Sequence, residues 1–215
     1  MKKNLKKRIY TSATLGFLIF LISISEYFLL YTLIVLSVVS FLEFLNITNK
    51  IFINKFYILI SNIFYLLYVF LFCFFFLFFT QIPQLKIIIF SLLLGCAASD
   101  IGGFIFGKVF KGPKLTKISP NKTISGSIGS FLLAGIIFPS SIYYFTNNLS
   151  LNIIIIGFMT SLICQFGDLF FSFLKRNAKI KDTGNFFPGH GGVLDRIDGL
   201  LLGIPAGFFS LIIFY

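Results

Sequence analysis

The stretch FYILISNIFYLLYVFLFCFFFLFFT, residues 56–80, contains no charged side chain. It is long enough to cross the hydrocarbon core of a bilayer as a helix, which takes about 20 residues. The rest of the chain has the same character: 57% of its 215 residues are hydrophobic, 32 are Phe, and the mean hydropathy is +0.97. These values lie well outside the usual range of soluble domains. The sequence therefore predicts an integral membrane protein.

Apolar runs of this kind recur along the whole sequence and leave no stretch for a separate soluble domain. We predict an all-α fold, a polytopic integral membrane helical bundle of about seven transmembrane helices, built as a single domain over residues 1–215. The N-terminal segment is expected to be retained as the first helix, because no small-residue cleavage site follows it. The predicted spans are 9–23, 27–47, 56–80, 86–107, 127–146, 151–173 and 196–215.

Lysine and arginine are distributed unevenly around these spans. All of them except Lys86 fall at helix ends that lie on one side of the membrane if the spans simply alternate. Because cytoplasmic ends carry an excess of Lys and Arg, we expect the N-terminus and the loops 108–126 and 174–196 to be cytoplasmic. Topology and attraction to anionic headgroups account for the net charge of +11, so we expect no nucleic-acid partner.

The acidic residues are not explained by topology. The chain has only seven Asp and Glu residues, and most of them lie at or near the same cytoplasmic ends. An ionisable group within a membrane segment is costly and is by default a functional candidate. The acids at these ends are Asp100, Asp168, Asp182, Asp195 and Asp198. Small residues surround Asp100 in the fourth span and permit close helix packing there.

Asp195 and Asp198 are three residues apart and share a face if a helix begins near Val193. Two carboxylates at a membrane surface suit Mg²⁺, which binds through one or two carboxylates plus substrate phosphates. Arg196 points elsewhere and could pair with an acid or hold a phosphate. The alternative is a solvated helix start, where acids are favoured by the positive end of the helix dipole.

The turn PGHGG at residues 188–192 comes directly before this helix. Gly191 and Gly192 allow the backbone to approach a ligand closely, and the helix start offers unpaired amides to an anion. This combination resembles a phosphate-binding turn. His190 is the single histidine of the chain; one interpretation makes it a structural hydrogen-bonding residue and the other a general acid or base.

A second polar group lies in the span before this turn. Asp168, Ser172 and Lys175 fall on one helical stripe, which suggests that metal and phosphate are held together. An ion pair within the helix is the alternative. Lys175, Arg176 and Lys181 also belong to the positive-inside set, so topology and ligand binding explain them equally well.

A third group lies in SPNKTISGSIG, residues 119–129. Ser119, Lys122 and the glycine pair Gly126 and Gly129 could surround a phosphate. The stretch is not a Walker pattern and is a weak signal by itself. Together, the three groups place metal ligands and phosphate binders at one membrane face.

These motifs resemble those of a known family. The run from Ser172 to Asp198, ending in PGHGGVLDRID, resembles position for position the C-terminal signature of the phosphatidate cytidylyltransferases, or CDP-diacylglycerol synthases. The resemblance extends upstream to Ser99-Asp100 and to KLTKISPNKT at residues 114–123.

The resemblance implies a nucleotidyltransferase of the cell (inner) membrane that condenses CTP with phosphatidate, giving CDP-diacylglycerol and pyrophosphate for phospholipid biosynthesis. It implies a requirement for Mg²⁺, a homodimer, and a site that opens to the cytoplasm. It further implies that Asp168, Asp195 and Asp198 bind the metal. Lys175 and Arg176 are expected to act with them in catalysis. The remaining substrate-binding candidates are Lys122, Ser119, Ser172, Lys181, His190, Gly191, Gly192 and Arg196.

Two other functions are consistent with such a sequence. A CTP-dependent kinase acting on a polyprenol-type lipid would release CDP instead of pyrophosphate. A transporter without enzymatic activity could also keep acids in its membrane helices. The clustering of acids and bases at one face, instead of along a path through the bilayer, argues against the transporter.

Overall fold

The computed structural model describes residues 25–184, 186 and 191–214, and this part of the chain is all-helical. All six of its long helices are long and apolar enough to cross a membrane, as expected of a multi-pass membrane protein. They are α1 (Glu26–Ile51), α2 (Lys55–Thr80), α3 (Pro83–Phe110), α4 (Ile124–Thr146), α5 (Leu151–Asn177) and α6 (Leu194–Phe214).

The six predicted spans from 27–47 onward are confirmed. The helices differ from them mainly by extra turns at the ends predicted to be cytoplasmic; α5, for example, continues past residue 173 to Asn177. Hydropathy marks the hydrocarbon region, whereas backbone hydrogen bonding continues through Lys and Arg whose long stems still cover apolar surface. The predicted span 9–23 lies outside the described residues, so its place in the count of seven stays a prediction.

The chain divides into two compact units. The first unit contains the described residues up to Leu77 together with those from Leu174 to Ile197. The second unit contains 78–173 and 198–214. The divisions fall inside α2, α5 and α6, so each unit is built from segments that are distant in sequence. A single domain over the whole chain stays a prediction.

In the first unit, α1 and α2 are joined by aromatic and polar contacts. The rings of Phe44 and Tyr65 stack with their centroids 4.0 Å apart. The buried hydroxyl of Thr48 donates to Oδ1 of Asn62 at 3.1 Å. A polar group buried in an apolar environment needs such a partner, so Thr48 and Asn62 stabilise this helix pair without any charge.

In the second unit, α3 and α4 approach until their backbones touch. A Cβ atom added to Gly102 would overlap the carbonyl oxygen of Gly129, and one added to Gly129 would overlap Phe106. The hydroxyl of Ser130 donates to the carbonyl of Ser99 at 2.7 Å. Close packing around the Ser99-Asp100 segment, predicted from its small residues, is confirmed. Packing against α3 also accounts for the glycine at 129.

The second unit also contains a close crossing of α5 and α6. A Cβ atom on Gly167 would lie 2.8 Å from the carbonyl oxygen of Asp198. One on Gly199 would lie 2.7 Å from the sulfur of Cys164. Glycine at both positions therefore lets the backbones of the two helices approach closely.

Candidate active site

Asp195 lies in the first turn of α6 and is surrounded by donors. Its Oδ2 accepts hydrogen bonds from the backbone N–H groups of Thr183 at 2.8 Å and Gly192 at 3.0 Å, and it lies 3.1 Å from the Thr183 hydroxyl. Its Oδ1 accepts from Nζ of Lys175 at 2.6 Å. The side chains of Lys175 and Asp195 are only 10% and 9% exposed. Lys175 is therefore held in a nearly buried, charge-assisted pair.

Glu43 of α1 binds the start of α6. Its Oε1 accepts from the N–H of Val193 and its Oε2 from the N–H of Leu194, both at 2.9 Å. Oε2 also accepts from the Thr183 hydroxyl at 2.6 Å. The first N–H groups of a helix have no partner within the helix, and valine before α6 has no side-chain acceptor. Glu43, which is buried, supplies the acceptor from another helix.

Sequence reasoning did not select Glu43. The available signal was an acidic residue inside the predicted span 27–47, and an ionisable group within a membrane segment is a functional candidate by default. Nothing in the local sequence around Glu43 identifies its partners, because they lie 140 to 151 residues further along the chain.

The two glycines before α6 are explained by these carboxylates. Gly191 has a φ of 84°, a region that favours glycine, and an added Cβ would lie 2.9 Å from Oδ2 of Asp195. A Cβ on Gly192 would overlap Thr183 and lie 2.5 Å from Oε1 of Glu43. The close contacts at these two glycines are therefore with the protein's own carboxyl groups, and their predicted approach to a ligand stays a prediction. His190 lies outside the described residues, so its predicted role stays a prediction.

In the second unit, Lys122 forms an ion pair with Asp168 of α5. The turn that carries Lys122 is fixed by its backbone, because Lys122 N–H donates to the carbonyl of Ser119 at 3.0 Å. The carbonyl of Lys122 accepts from the N–H of Leu115 at 2.7 Å. The Thr123 hydroxyl accepts from the N–H of Gly126 at 3.1 Å and thereby caps the N-terminus of α4. Two predicted substrate residues, Ser119 and Lys122, therefore belong to one turn.

The stripe of Asp168, Ser172 and Lys175 is present on α5. Asp168 pairs with Lys122 and Lys175 pairs with Asp195, so each charge has a partner on another segment. These pairs do not support the alternative of an ion pair within the helix. Ser172 is 8% exposed.

The other predicted cations are more exposed. Arg176 donates from Nη1 to the carbonyl of Ile180 at 3.2 Å at the end of α5. Lys181 and Arg196 are exposed. Arg196 follows Asp195 directly in the sequence, and successive residues of a helix point in different directions.

The predicted magnesium ligands differ in their surroundings. Asp198 is 7% exposed, and its Oδ1 accepts from the N–H of Gly199 at 2.9 Å. Within residues 25–184, 186 and 191–214, no group of three or more His, Cys, Asp or Glu side chains could hold a metal ion. Asp168 and Asp198 each carry a carboxylate, and Gly167, the neighbour of Asp168, packs against the carbonyl of Asp198 at the α5–α6 crossing. That donor set fits Mg²⁺ bound partly by substrate phosphates. Asp195 already accepts bonds at both oxygens.

These features define a polytopic α-helical membrane protein whose described residues include two lysine–aspartate ion pairs. A comparison with known families gives a more specific assignment: the model of the cytidylyltransferase family matches residues 2–214. The chain belongs to the cytidylyltransferase family.

Named relatives agree with this assignment. The chain is similar to the phosphatidate cytidylyltransferase of Rickettsia felis, with 46% identity over 124 residues that cover 53% of this chain and 54% of the relative. The enzyme of the same name from Helicobacter pylori strain J99 is 40% identical over 115 residues, which cover 52% and 42%. That of Staphylococcus aureus is 42% identical over 110 residues, which cover 50% and 42%. The chain thus spans about half the length of these relatives.

Proposed function

We propose that this protein condenses CTP with phosphatidate, giving CDP-diacylglycerol and pyrophosphate for phospholipid biosynthesis. The observation that carries the proposal is the match of the cytidylyltransferase family to residues 2–214. Relatives named phosphatidate cytidylyltransferase, 40% and 46% identical, support the choice of substrates. The signature from Pro188 to Asp198 points to the same reaction.

The lysines Lys175 and Lys122 are proposed to bind the phosphates of the substrates. Each is held against a carboxylate, so little side-chain freedom remains to be lost when a phosphate binds. Lys175 is nearly buried, and an ammonium interacts more strongly with a phosphate where water is excluded. The exposed cations Arg176, Lys181 and Arg196 are proposed to attract the triphosphate by charge.

In the proposed reaction a phosphate oxygen of phosphatidate attacks the α-phosphorus of CTP. The new P–O bond forms while the bond from the α-phosphorus to the bridging oxygen breaks, and pyrophosphate leaves with the electron pair. No protein nucleophile is required. The side chains contribute orientation and stabilisation of negative charge, as in phosphoryl transfer generally.

Bound Mg²⁺ would neutralise negative charge on the triphosphate and on the leaving group. We propose Asp168 and Asp198 as its ligands, since two carboxylates with phosphate oxygens form a common Mg²⁺ environment. Asp195 as a further ligand also stays a prediction, and it would require Lys175 to leave Oδ1.

We infer that the site opens to the cytoplasm of a bacterial cell membrane. The Lys and Arg residues at one set of helix ends support this orientation, and the relatives are bacterial. The proposal that the protein acts as a homodimer rests on the family resemblance alone.

The experiment is incubation of the purified protein in detergent with CTP, Mg²⁺ and phosphatidate, with identification of both products. CDP-diacylglycerol and pyrophosphate are expected in equal amounts. Release of CDP with a phosphorylated lipid would identify a lipid kinase. No consumption of CTP would refute the enzymatic proposal. Omission of phosphatidate distinguishes transfer to the lipid from hydrolysis of CTP.

A further inference from the structure

Glu43 of α1 and Asp195 of the proposed site both lie within hydrogen-bond distance of one hydroxyl group. The Thr183 hydroxyl lies 2.6 Å from Oε2 of Glu43 and 3.1 Å from Oδ2 of Asp195. A threonine hydroxyl carries one proton, so it donates to one carboxyl group at a time. The shorter distance favours Glu43. Oδ2 of Asp195 then relies on the backbone N–H groups of Thr183 and Gly192.

The same carboxyl group fixes the backbone on both sides of the turn. It accepts from Val193 and Leu194 at the start of α6 and lies against Gly184, where an added Cβ would be 2.6 Å from Oε1. It also lies against Gly192. Movement of Glu43 would therefore shift the N–H groups that hold Asp195. Asp195 in turn holds the ammonium of Lys175.

We propose that Glu43 is a positioning residue for the transfer reaction, acting on Lys175 through Thr183 and Asp195 without touching substrate. This inference rests on the proposed function. Its physical basis is that the ammonium of Lys175 is oriented by Asp195, whose carboxylate is oriented by groups bonded to Glu43. Loss of such a supporting contact typically lowers activity about ten- to a hundredfold even when the fold is retained.

The main test compares Thr183→Val with Thr183→Ser. Valine removes the hydroxyl and keeps the backbone N–H donated to Asp195, whereas serine retains both groups. We expect Thr183→Val to lower kcat about tenfold with KM for CTP and phosphatidate changed less than about twofold, and Thr183→Ser to stay near the wild type. Rates are normalised to folded protein, measured by gel filtration in detergent.

The second arm combines Thr183→Val with Glu43→Gln, which preserves the shape of the side chain. If both act through the same hydroxyl, the double variant should lose little more kcat than the worse single variant. Thr48→Val is the matched control, because it removes another buried hydrogen bond of α1 that does not reach α6. Thr48→Val should retain kcat and combine additively with Thr183→Val. If Glu43→Gln does not fold, the comparison of Thr183→Val with Thr183→Ser still tests the positioning role.

The outcomes separate the two claims. Wild-type protein that makes no CDP-diacylglycerol refutes the proposed function before any variant is measured, and with it the inference. Active wild type together with a normal kcat for Thr183→Val refutes only the positioning role. A total activity that falls only in proportion to the amount of folded protein, with kcat per folded molecule unchanged, would also refute the positioning role. The hydrogen bond between Thr183 and Glu43 would then be purely structural.

Discussion

Replacing Lys175 by methionine keeps most of the side-chain stem and removes the charge that faces Asp195. The pair is short, at 2.6 Å, and its side chains are 10% and 9% exposed. Removing one partner of a buried pair costs about 3–5 kcal/mol when the other charge is left without compensation. Asp195 keeps its bonds to Thr183 and Gly192, so we expect the free energy of unfolding to fall by about 3 kcal/mol, the lower end of that range.

The same change should lower turnover if Lys175 also binds a substrate phosphate. A hydrogen bond to a charged group contributes about 1.5–3 kcal/mol, which corresponds to roughly ten- to a hundredfold in rate. The assay measures initial rates against both substrates and thermal unfolding in the same detergent. Lys50→Met, at an exposed lysine at the end of α1, is the control for membrane charge and should change neither quantity.

A double variant distinguishes the two roles of Lys175. Lys175→Met with Asp195→Asn removes both charges, so part of the lost stability should return while turnover stays low. If turnover per folded molecule is near the wild-type value in Lys175→Met, the lysine is only a counter-ion of Asp195. The assignment of Lys175 to phosphate would then be refuted.

Three further predictions concern the metal, the turn and the topology. Asp198→Asn should lower the rate at least about tenfold and raise the Mg²⁺ concentration needed for half-maximal rate; an unchanged Mg²⁺ dependence contradicts its role as ligand. Gly192→Ala should lower stability by about 1–3 kcal/mol, measured by thermal unfolding, because its methyl group would overlap Thr183. Cysteines introduced at Ile53 and Asn148 should react with an impermeant maleimide from the cytoplasmic and the opposite side, respectively; labelling from the same side would contradict the topology.

The spans could be predicted because hydropathy over about 20 residues is a local property. Asp195 in the first turn of α6 was also predictable, since the apolar run begins within one helical turn after it, at Gly199. The small residues near Asp100 predicted close packing, which Gly102 and Gly129 show. In each case the relevant information lies within a few helical turns of the residue concerned.

Partners distant in sequence could not be predicted from local patterns. Lys122 and Asp168 are 46 residues apart, and Glu43 and Val193 are 150 apart. Spacing identified which residues carry charge, but the choice of partner depends on how the helices pack. For the same reason the sequence does not show that Gly192 contacts Glu43 and Thr183, and its predicted role in ligand binding stays a prediction.

The bond between Glu43 and the start of α6 also constrains the order of events during synthesis. The chain emerges from the ribosome from its N-terminus, so Glu43 of α1 is made 150 residues before Val193. At about 5–20 residues per second, this takes roughly 8–30 s. Throughout that interval α1 carries a carboxyl group whose final donors do not yet exist. Until Val193 and Leu194 are made, hydrogen bonds to the Glu43 carboxyl group come from other donors, such as water at the membrane surface.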